Sequence, residues 1–194
     1  MITRLLEGNR RFRDETFARE KELFQELQKA QRPTVLWIGC SDSRIAVNVI
    51  TDTKPGEVFV HRNVANVVAE NDWNLSAVLE FSINHLQIPD IVICGHTGCG
   101  GIAALDDEDS DDRYIPIWLI NAYLARERVD EKIRALRIEL EPVKRMRLIV
   151  EENVRLQIEH LNEYPFVKRA LRDGKLKLHG WVYDMETGEI RILV

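Results

Sequence analysis

Three side chains that bind zinc well follow two apolar segments of the sequence. Cys40 ends the segment 35–39, and His96 and Cys99 follow the segment 91–95. Each segment is short, apolar and bounded by turn residues, which predicts a buried strand. Because ligands gather at the carboxyl ends of the strands in an open α/β sheet, we expect the three side chains to meet there.

Two thiolates and one imidazole form a donor set that suits zinc. Structural zinc sites are closed by four protein ligands, whereas catalytic sites keep three and leave one position for water or substrate. Cys40, His96 and Cys99 supply three, so the set favours one catalytic zinc ion per chain. Taken singly, each cysteine could be a buried packing residue and the histidine a core residue. The H-x-x-C spacing of His96 and Cys99 in a glycine-rich turn instead favours metal binding.

The turn after Cys40 carries an acidic and a basic side chain. Asp42 lies two residues beyond Cys40, close enough to bind the metal itself or to accept a hydrogen bond from water on the metal. Arg44 can pair with this carboxylate, keep it ionised and fix its direction. We therefore predict Asp42 and Arg44 as catalytic residues, the alternative being an ordinary ion pair in a turn.

Two other features near His96 have weaker support. Cys94 alternates in phase with His96, but a buried cysteine is usually a packing residue, so we predict a core position. Gly98, Gly100 and Ala103 match the dinucleotide-binding pattern G-x-G-x-x-A. The acidic residue that such a site needs about 20 residues later is missing, so we expect these glycines to let backbone N–H groups approach a small anion.

Composition indicates a globular chain of one domain. The 194 residues are 45% hydrophobic and 30% charged, with a net charge of -5 and no basic stripe for nucleic acid. No stretch approaches the roughly 20 apolar residues of a membrane span, and the N-terminus is charged too early for a signal peptide. We therefore expect one catalytic domain over 1–194, a cytoplasmic location, and neither a nucleic-acid nor a membrane partner.

The order of predicted elements indicates an α/β fold with a mostly parallel central sheet flanked by helices, because strands that alternate with helices pair in parallel. The apolar residues spaced among charges over 1–31 predict two amphipathic helices that could pack on their own sheet or on a second subunit. The predicted strands are 34–40, 57–61, 91–96, 176–183 and 190–194, and the longer predicted helices are 73–87, 114–140, 143–163 and 166–172. The acidic segment 106–112 predicts a solvated loop.

Four segments resemble the beta-class carbonic anhydrases. They are C-S-D-S-R at 40–44, H-R-N-V-A-N at 61–66, G-H-T-G-C-G-G at 95–101 and L-H-G-W-V-Y-D at 178–184. The resemblance implies zinc ligation by Cys40, His96 and Cys99, an Asp42–Arg44 catalytic dyad, and hydration of carbon dioxide to bicarbonate and a proton. It also implies an N-terminal helical arm, 1–32, that packs on a partner subunit in a homodimer or tetramer.

One bacterial subgroup of that family has a bicarbonate pocket away from the metal, and the resemblance places Trp37, Arg62 and Tyr183 at its three positions. The subgroup's resting form has the aspartate on zinc, so Asp42 can be the fourth ligand or the partner of Arg44. Bicarbonate would then inhibit the enzyme by favouring the zinc-bound form. The plainer alternatives are sheet packing for Trp37 and Tyr183 and a helix-end ion pair for Arg62.

Two further functions are compatible with these residues. Relatives that share the scaffold hydrolyse carbonyl sulfide or carbon disulfide, and the shape of the pocket would select the substrate. A non-catalytic, zinc-stabilised bicarbonate-sensing module would keep Asp42 permanently on the metal. The intact pair of Asp42 and Arg44 favours an enzyme over the sensing module.

Overall fold

The computed structural model describes residues 1–107 and 110–194 and contains two compact units. The first unit, Met1–Arg32, consists of helices, and the second, Pro33–Val194, contains a five-stranded sheet with helices around it. The predicted α/β fold with a mostly parallel sheet is therefore confirmed. No helix in the described part of the chain combines the length and the apolar character that a membrane crossing requires.

The strands and helices follow the predicted order. The strands are β1 (Val35–Cys40), β2 (Val58–Asn63), β3 (Asp90–His96), β4 (Lys177–Tyr183) and β5 (Ile190–Ile192). The helices are α1 (Ile2–Arg11), α2 (Lys21–Lys29), α3 (Val47–Ile50), α4 (Trp73–Glu80), α5 (Gly100–Ala103), α6 (Ile115–Leu136), α7 (Pro142–Leu161) and α8 (Pro165–Arg172). Both α1 and α4 continue into a π-helical turn.

The two helices of the first unit are joined by an aromatic cluster. The rings of Phe12, Phe17 and Phe24 lie with their centroids 4.7 to 6.3 Å apart. Leu5 and Leu6 on α1 remain exposed, at 63% and 58% of their surface. The predicted pair of helices is confirmed, and the packing of this arm on a partner subunit stays a prediction.

The strands of the sheet lie in the order β2-β1-β3-β4-β5. Strand β1 pairs in parallel with both β2 and β3, β3 pairs in parallel with β4, and β5 is antiparallel to β4. Parallel neighbours need long crossover connections, which the helices supply. The carboxyl ends of β1 and β3 therefore lie side by side, which positions the residues that end these two strands.

Alternation along the strands divides the buried residues between the two faces of the sheet. Leu36 and Ile38 pack in the cluster that includes residues of α6 and α7. Trp37 packs on the opposite face with Val92 and Cys94. The predicted core position of Cys94 is confirmed, because the residue is 4% exposed and burial raises the pKa of its thiol to about 12.

The acidic segment 106–112 was predicted to be a solvated loop, but its first residue, Asp106, forms an ion pair. Asp106 accepts a hydrogen bond from Arg145 Nη1 at 2.6 Å, and Arg145 also pairs with Asp130 at 2.7 Å. These ion pairs connect the start of the segment to α6 and α7. Positions 108 and 109 lie outside the described residues, so the prediction for them has no structural counterpart.

Helix α7 packs so closely on β3 that Gly95 has no room for a side chain. A Cβ there would lie 2.8 Å from Val154 Cγ2 and 3.2 Å from Val150 Cγ1. We expect Gly95→Ala to lower the free energy of unfolding by about 1–3 kcal/mol, the usual cost of overpacking.

Denaturant unfolding measures this effect, with Gly100→Ala as the matched control. A Cβ at Gly100 meets nothing within 4 Å, and alanine is favoured over glycine in a helix, so this variant should keep or gain up to about 1 kcal/mol. Equal stabilities for the two variants would contradict the tight packing of α7 on β3.

Candidate metal centre

Cys40, His96 and Cys99 converge at one edge of the sheet. Cys40 is the last residue of β1, His96 is the last residue of β3, and Cys99 directly precedes α5. The two sulfur atoms and a ring nitrogen of His96 lie within 4.8 Å of one another, and all three residues are buried. The structure therefore brings the three predicted ligands into one cluster that could hold a metal ion.

The distance between the two sulfur atoms fits zinc. Cys40 Sγ and Cys99 Sγ are 3.8 Å apart, and both cysteines are free. Two thiolates, each about 2.3 Å from a tetrahedral zinc ion, would be separated by about 3.8 Å. The pair is thus already spaced as zinc coordination requires.

His96 contributes a buried nitrogen that has no partner among the described residues. Its Nδ1 lies 3.0 Å from the Thr97 carbonyl oxygen, which assigns the proton to Nδ1 as the donor. Its Nε2 is buried without a hydrogen bond. A buried polar atom normally has a partner, so this orphan indicates a missing ligand. The Nδ1 hydrogen bond fixes the tautomer that leaves Nε2 free to coordinate.

The surroundings of Cys40 favour its thiolate. The hydrogen bond between the Cys99 thiol and Cys40, with the two sulfur atoms 3.8 Å apart, is the main cause that lowers the pKa of Cys40. The same contact raises the pKa of Cys99, because the pair shares one proton. Metal binding to cysteine displaces such protons, so this pair is suited to become two thiolate ligands.

Asp42 and Arg44 form the predicted ion pair beside the cluster. Arg44 Nε donates to Asp42 Oδ1 at 2.9 Å and Nη2 donates to Oδ2 at 2.6 Å. The Arg44 amide also donates to Oδ1, at 2.9 Å. Asp42 Oδ2 lies 3.9 Å from His96 Nε2. The guanidinium holds the pKa of Asp42 well below its usual range, so an ionised carboxylate is fixed next to the cluster.

Arg62 supports the same turn from the neighbouring strand. Its Nε donates to the Cys40 carbonyl at 2.8 Å, and its Nη2 donates to the Asp42 carbonyl. The Ser41 amide donates to the Asn63 carbonyl at 2.9 Å. Strand β2 therefore fixes the backbone on both sides of Ser41. The sequence did not predict this contact of Arg62 with the turn.

Trp37 and Tyr183 lie on the same face of the sheet as Arg62. Arg62 pairs in register with Gly39, and a Cβ at Gly39 would lie 2.5 Å from Trp37 Nε1, so the indole covers this glycine. Tyr183 packs in the same apolar cluster as Trp37. The three residues predicted for a bicarbonate pocket thus share one face.

Sequence reasoning missed the turn that follows β2. Ala65 and Asn66 have φ angles of 63° and 48°, a left-handed conformation that residues other than glycine rarely adopt. A Cβ at Gly101 would lie 3.1 Å from Ala65 Cβ, so this turn packs tightly on α5. Ala65 and Asn66 belong to the H-R-N-V-A-N segment, but neither is a glycine, the residue that would have indicated a left-handed conformation in the sequence.

Comparison with known proteins agrees with this geometry. Residues 35–190 match the family model described as carbonic anhydrase. The chain is 37% identical over 196 residues to the carbonic anhydrase of Synechococcus elongatus, covering 97% of this chain and 70% of that protein. It is 35% identical over 194 residues to the carbonic anhydrase of Pseudomonas aeruginosa, covering 97% of this chain and 86% of that protein.

A solved structure extends the agreement to the fold. One of two tetrameric beta-carbonic anhydrases from the ascomycete Sordaria macrospora superposes with a TM-score of 0.92 and 33% identity. The match covers 99% of this chain and 96% of that chain. This chain therefore belongs to the carbonic anhydrase family of enzymes, in its beta class.

Proposed function

We propose that this chain catalyses the reversible hydration of carbon dioxide to bicarbonate and a proton, with one zinc ion held by Cys40, His96 and Cys99. The observation that carries the proposal is the proximity of a buried sulfur–nitrogen–sulfur cluster to the Asp42–Arg44 ion pair. When bound, zinc supplies the Lewis acidity that makes water a nucleophile near neutral pH. The named relatives and the spacing of the donor atoms support this function.

The ion pair orients the attacking water. Asp42 Oδ2 accepts a hydrogen bond from the water, which leaves a lone pair directed at the carbon of carbon dioxide. Arg44 binds both carboxylate oxygens and so keeps Asp42 ionised and able only to accept. The proton that hydration releases therefore leaves to buffer in the solvent. A groove of about 620 Å³, lined in part by Arg44, Gly98, Met146 and Met185, gives the pair access to solvent.

The same turn provides a route to inhibition by bicarbonate. A bicarbonate ion bound by Trp37, Arg62 and Tyr183 would take the Arg62 donors away from the backbone carbonyls of the turn. Asp42 could then leave Arg44 and occupy the open ligand position, which closes the site to water. Bicarbonate favours this closed state only as far as it binds that state more tightly.

We also propose that the chain acts as a homodimer or tetramer, with 1–194 as one catalytic domain and 1–32 as its arm. The exposed leucines of α1 and the tetrameric state of the Sordaria relatives support this assembly. Activity assays distinguish this function from the two alternatives. Hydrolysis of carbonyl sulfide or carbon disulfide would release sulfide, and a bicarbonate-sensing module would show no turnover.

Replacing the cysteines one at a time tests the ligand assignment. We expect Cys40→Ser and Cys99→Ser to lower the zinc content of the purified protein well below one ion per chain, because each removes a thiolate. Cys94→Ala is the matched control and should keep full zinc, since Cys94 lies in the core. Elemental analysis measures the metal, and unchanged zinc in either serine variant would contradict the ligand set.

Removing either member of the ion pair should separate zinc binding from catalysis. We expect Asp42→Asn and Arg44→Ala to retain zinc and to lose about 100-fold or more in the hydration rate, because neither variant keeps an ionised carboxylate fixed to orient the water. Stopped-flow assays of hydration and of sulfide release measure the rates. Arg128→Ala, which removes a guanidinium paired with Glu159 away from this groove, should stay active, and full activity in a dyad variant would refute the assignment.

Bicarbonate inhibition tests the second pocket. We expect sigmoidal inhibition by bicarbonate that Tyr183→Phe weakens, because the variant lacks one hydrogen-bond donor to the anion. Tyr123→Phe removes a hydroxyl that binds Arg126 and should leave the inhibition curve unchanged. Hydration rates measured over a range of bicarbonate concentrations distinguish the two variants, and simple competitive inhibition of the wild-type protein would exclude the pocket.

A further inference from the structure

One hydrogen bond joins Arg44 to the turn 97–98, which separates two of the proposed zinc ligands. Arg44 Nη2 donates to the Gly98 carbonyl at 3.0 Å. The bonds from Arg44 to Asp42 are local, because the two residues are two positions apart in the chain. They hold the pair together but do not set its place relative to the turn 97–98. Within the described part of the chain, the Gly98 contact is the hydrogen bond that does so.

Thr97 fixes this turn to strand β4 and to the loop that follows it. The residue is 9% exposed, and its amide donates to the Tyr183 carbonyl at 3.0 Å. Its side-chain Oγ1 accepts a hydrogen bond from the Met185 amide at 2.9 Å. Thr97 is therefore bound through its backbone and through its side chain. Because Gly98 follows Thr97 directly, the direction of the Gly98 carbonyl depends on the position of Thr97.

Packing does not fix Gly98 itself. The residue has a φ angle of 65°, and a Cβ built on it would meet nothing within 4 Å. Glycine is the most permissive residue in its backbone conformation, so the hydrogen bonds of the adjacent residue have to hold its carbonyl in place. The bond between the Thr97 hydroxyl and Met185 is the part of this support that a substitution removes without changing a proposed ligand.

We propose that Thr97 is a positioning residue of the Asp42–Arg44 pair, which acts by holding the Gly98 carbonyl where Arg44 binds it. The kinetic part of its test rests on the proposed hydration of carbon dioxide. The alternative is that the Thr97 hydroxyl only satisfies the Met185 amide. The two roles differ in whether the effect of replacing Thr97 requires Arg44.

The first test is a double-mutant cycle of Thr97→Val and Arg44→Ala. Thr97→Val keeps the shape of the side chain and removes the hydroxyl. We expect it to retain zinc and to lower kcat/KM for hydration by about 10- to 100-fold, the usual effect of losing an outer hydrogen-bond partner. In the Arg44→Ala background it should cause little further loss, because the residue through which Thr97 acts is already absent.

Two further variants separate this role from a general loss of stability. Thr97→Ser keeps the hydroxyl and should restore most of kcat/KM. Thr51→Val makes the same chemical change elsewhere, since it removes a hydroxyl that donates to the Val47 carbonyl at 2.7 Å. It should keep the wild-type kcat/KM even if its thermal stability falls. Thr97→Ala replaces the valine variant if that variant does not fold.

The second test does not depend on catalysis. The ¹⁵N relaxation of the Arg44 Nε–H group, identified by its absence from Arg44→Ala, measures how far the guanidinium is restrained. We expect its order parameter to fall in Thr97→Val and to keep the wild-type value in Thr97→Ser and Thr51→Val.

Two results would overturn the positioning role. One is an unchanged order parameter of Arg44 in a folded variant that lacks the Thr97 hydroxyl. The other is an equal loss of kcat/KM from Thr97→Val in the wild-type and Arg44→Ala backgrounds. A wild-type protein without hydration activity would instead overturn the proposed function, and the relaxation of Arg44 would still decide whether Thr97 holds it.

Discussion

The parallel pairing of β1 with β3 is the constraint on which the site depends. The register places Gly39 beside Cys94, so the residues that follow, Cys40 on one strand and His96 on the other, reach the same edge of the sheet. A shift of one residue would turn every side chain of a strand to the other face. The buried cores on both faces resist such a shift, so packing far from the cluster determines its geometry.

The turn after β1 combines two demands that normally conflict. The proposed mechanism requires Asp42 to be held firmly so that it orients water, yet the proposed inhibition requires it to move. The structure separates these demands, because Arg44 binds the carboxylate while Arg62 binds the backbone of the turn. In the proposed inhibition, an anion that competes for Arg62 acts on Asp42 without touching the Asp42–Arg44 pair directly.

The sequence predicted the fold and the convergence of Cys40, His96 and Cys99 because the patterns behind these predictions are local in the chain. Apolar runs marked the strands, and the predicted metal ligands and catalytic pair lie at the ends of β1 and β3 and in the turns that follow them. The ion pairs of Asp106, the carbonyl contacts of Arg62 and the left-handed Ala65 depend instead on segments distant in the chain. The spacing of residues in the sequence cannot predict such contacts, because they form only when the helices pack on the sheet.

The central claim is that a zinc ion is bound by two sulfur atoms and one nitrogen atom at the edge of the sheet. Zinc K-edge X-ray absorption of the purified protein measures this ligand shell directly. We predict two sulfur atoms at about 2.3 Å and lighter nitrogen or oxygen atoms at about 2.0–2.2 Å. A shell with one sulfur atom or none would contradict the account.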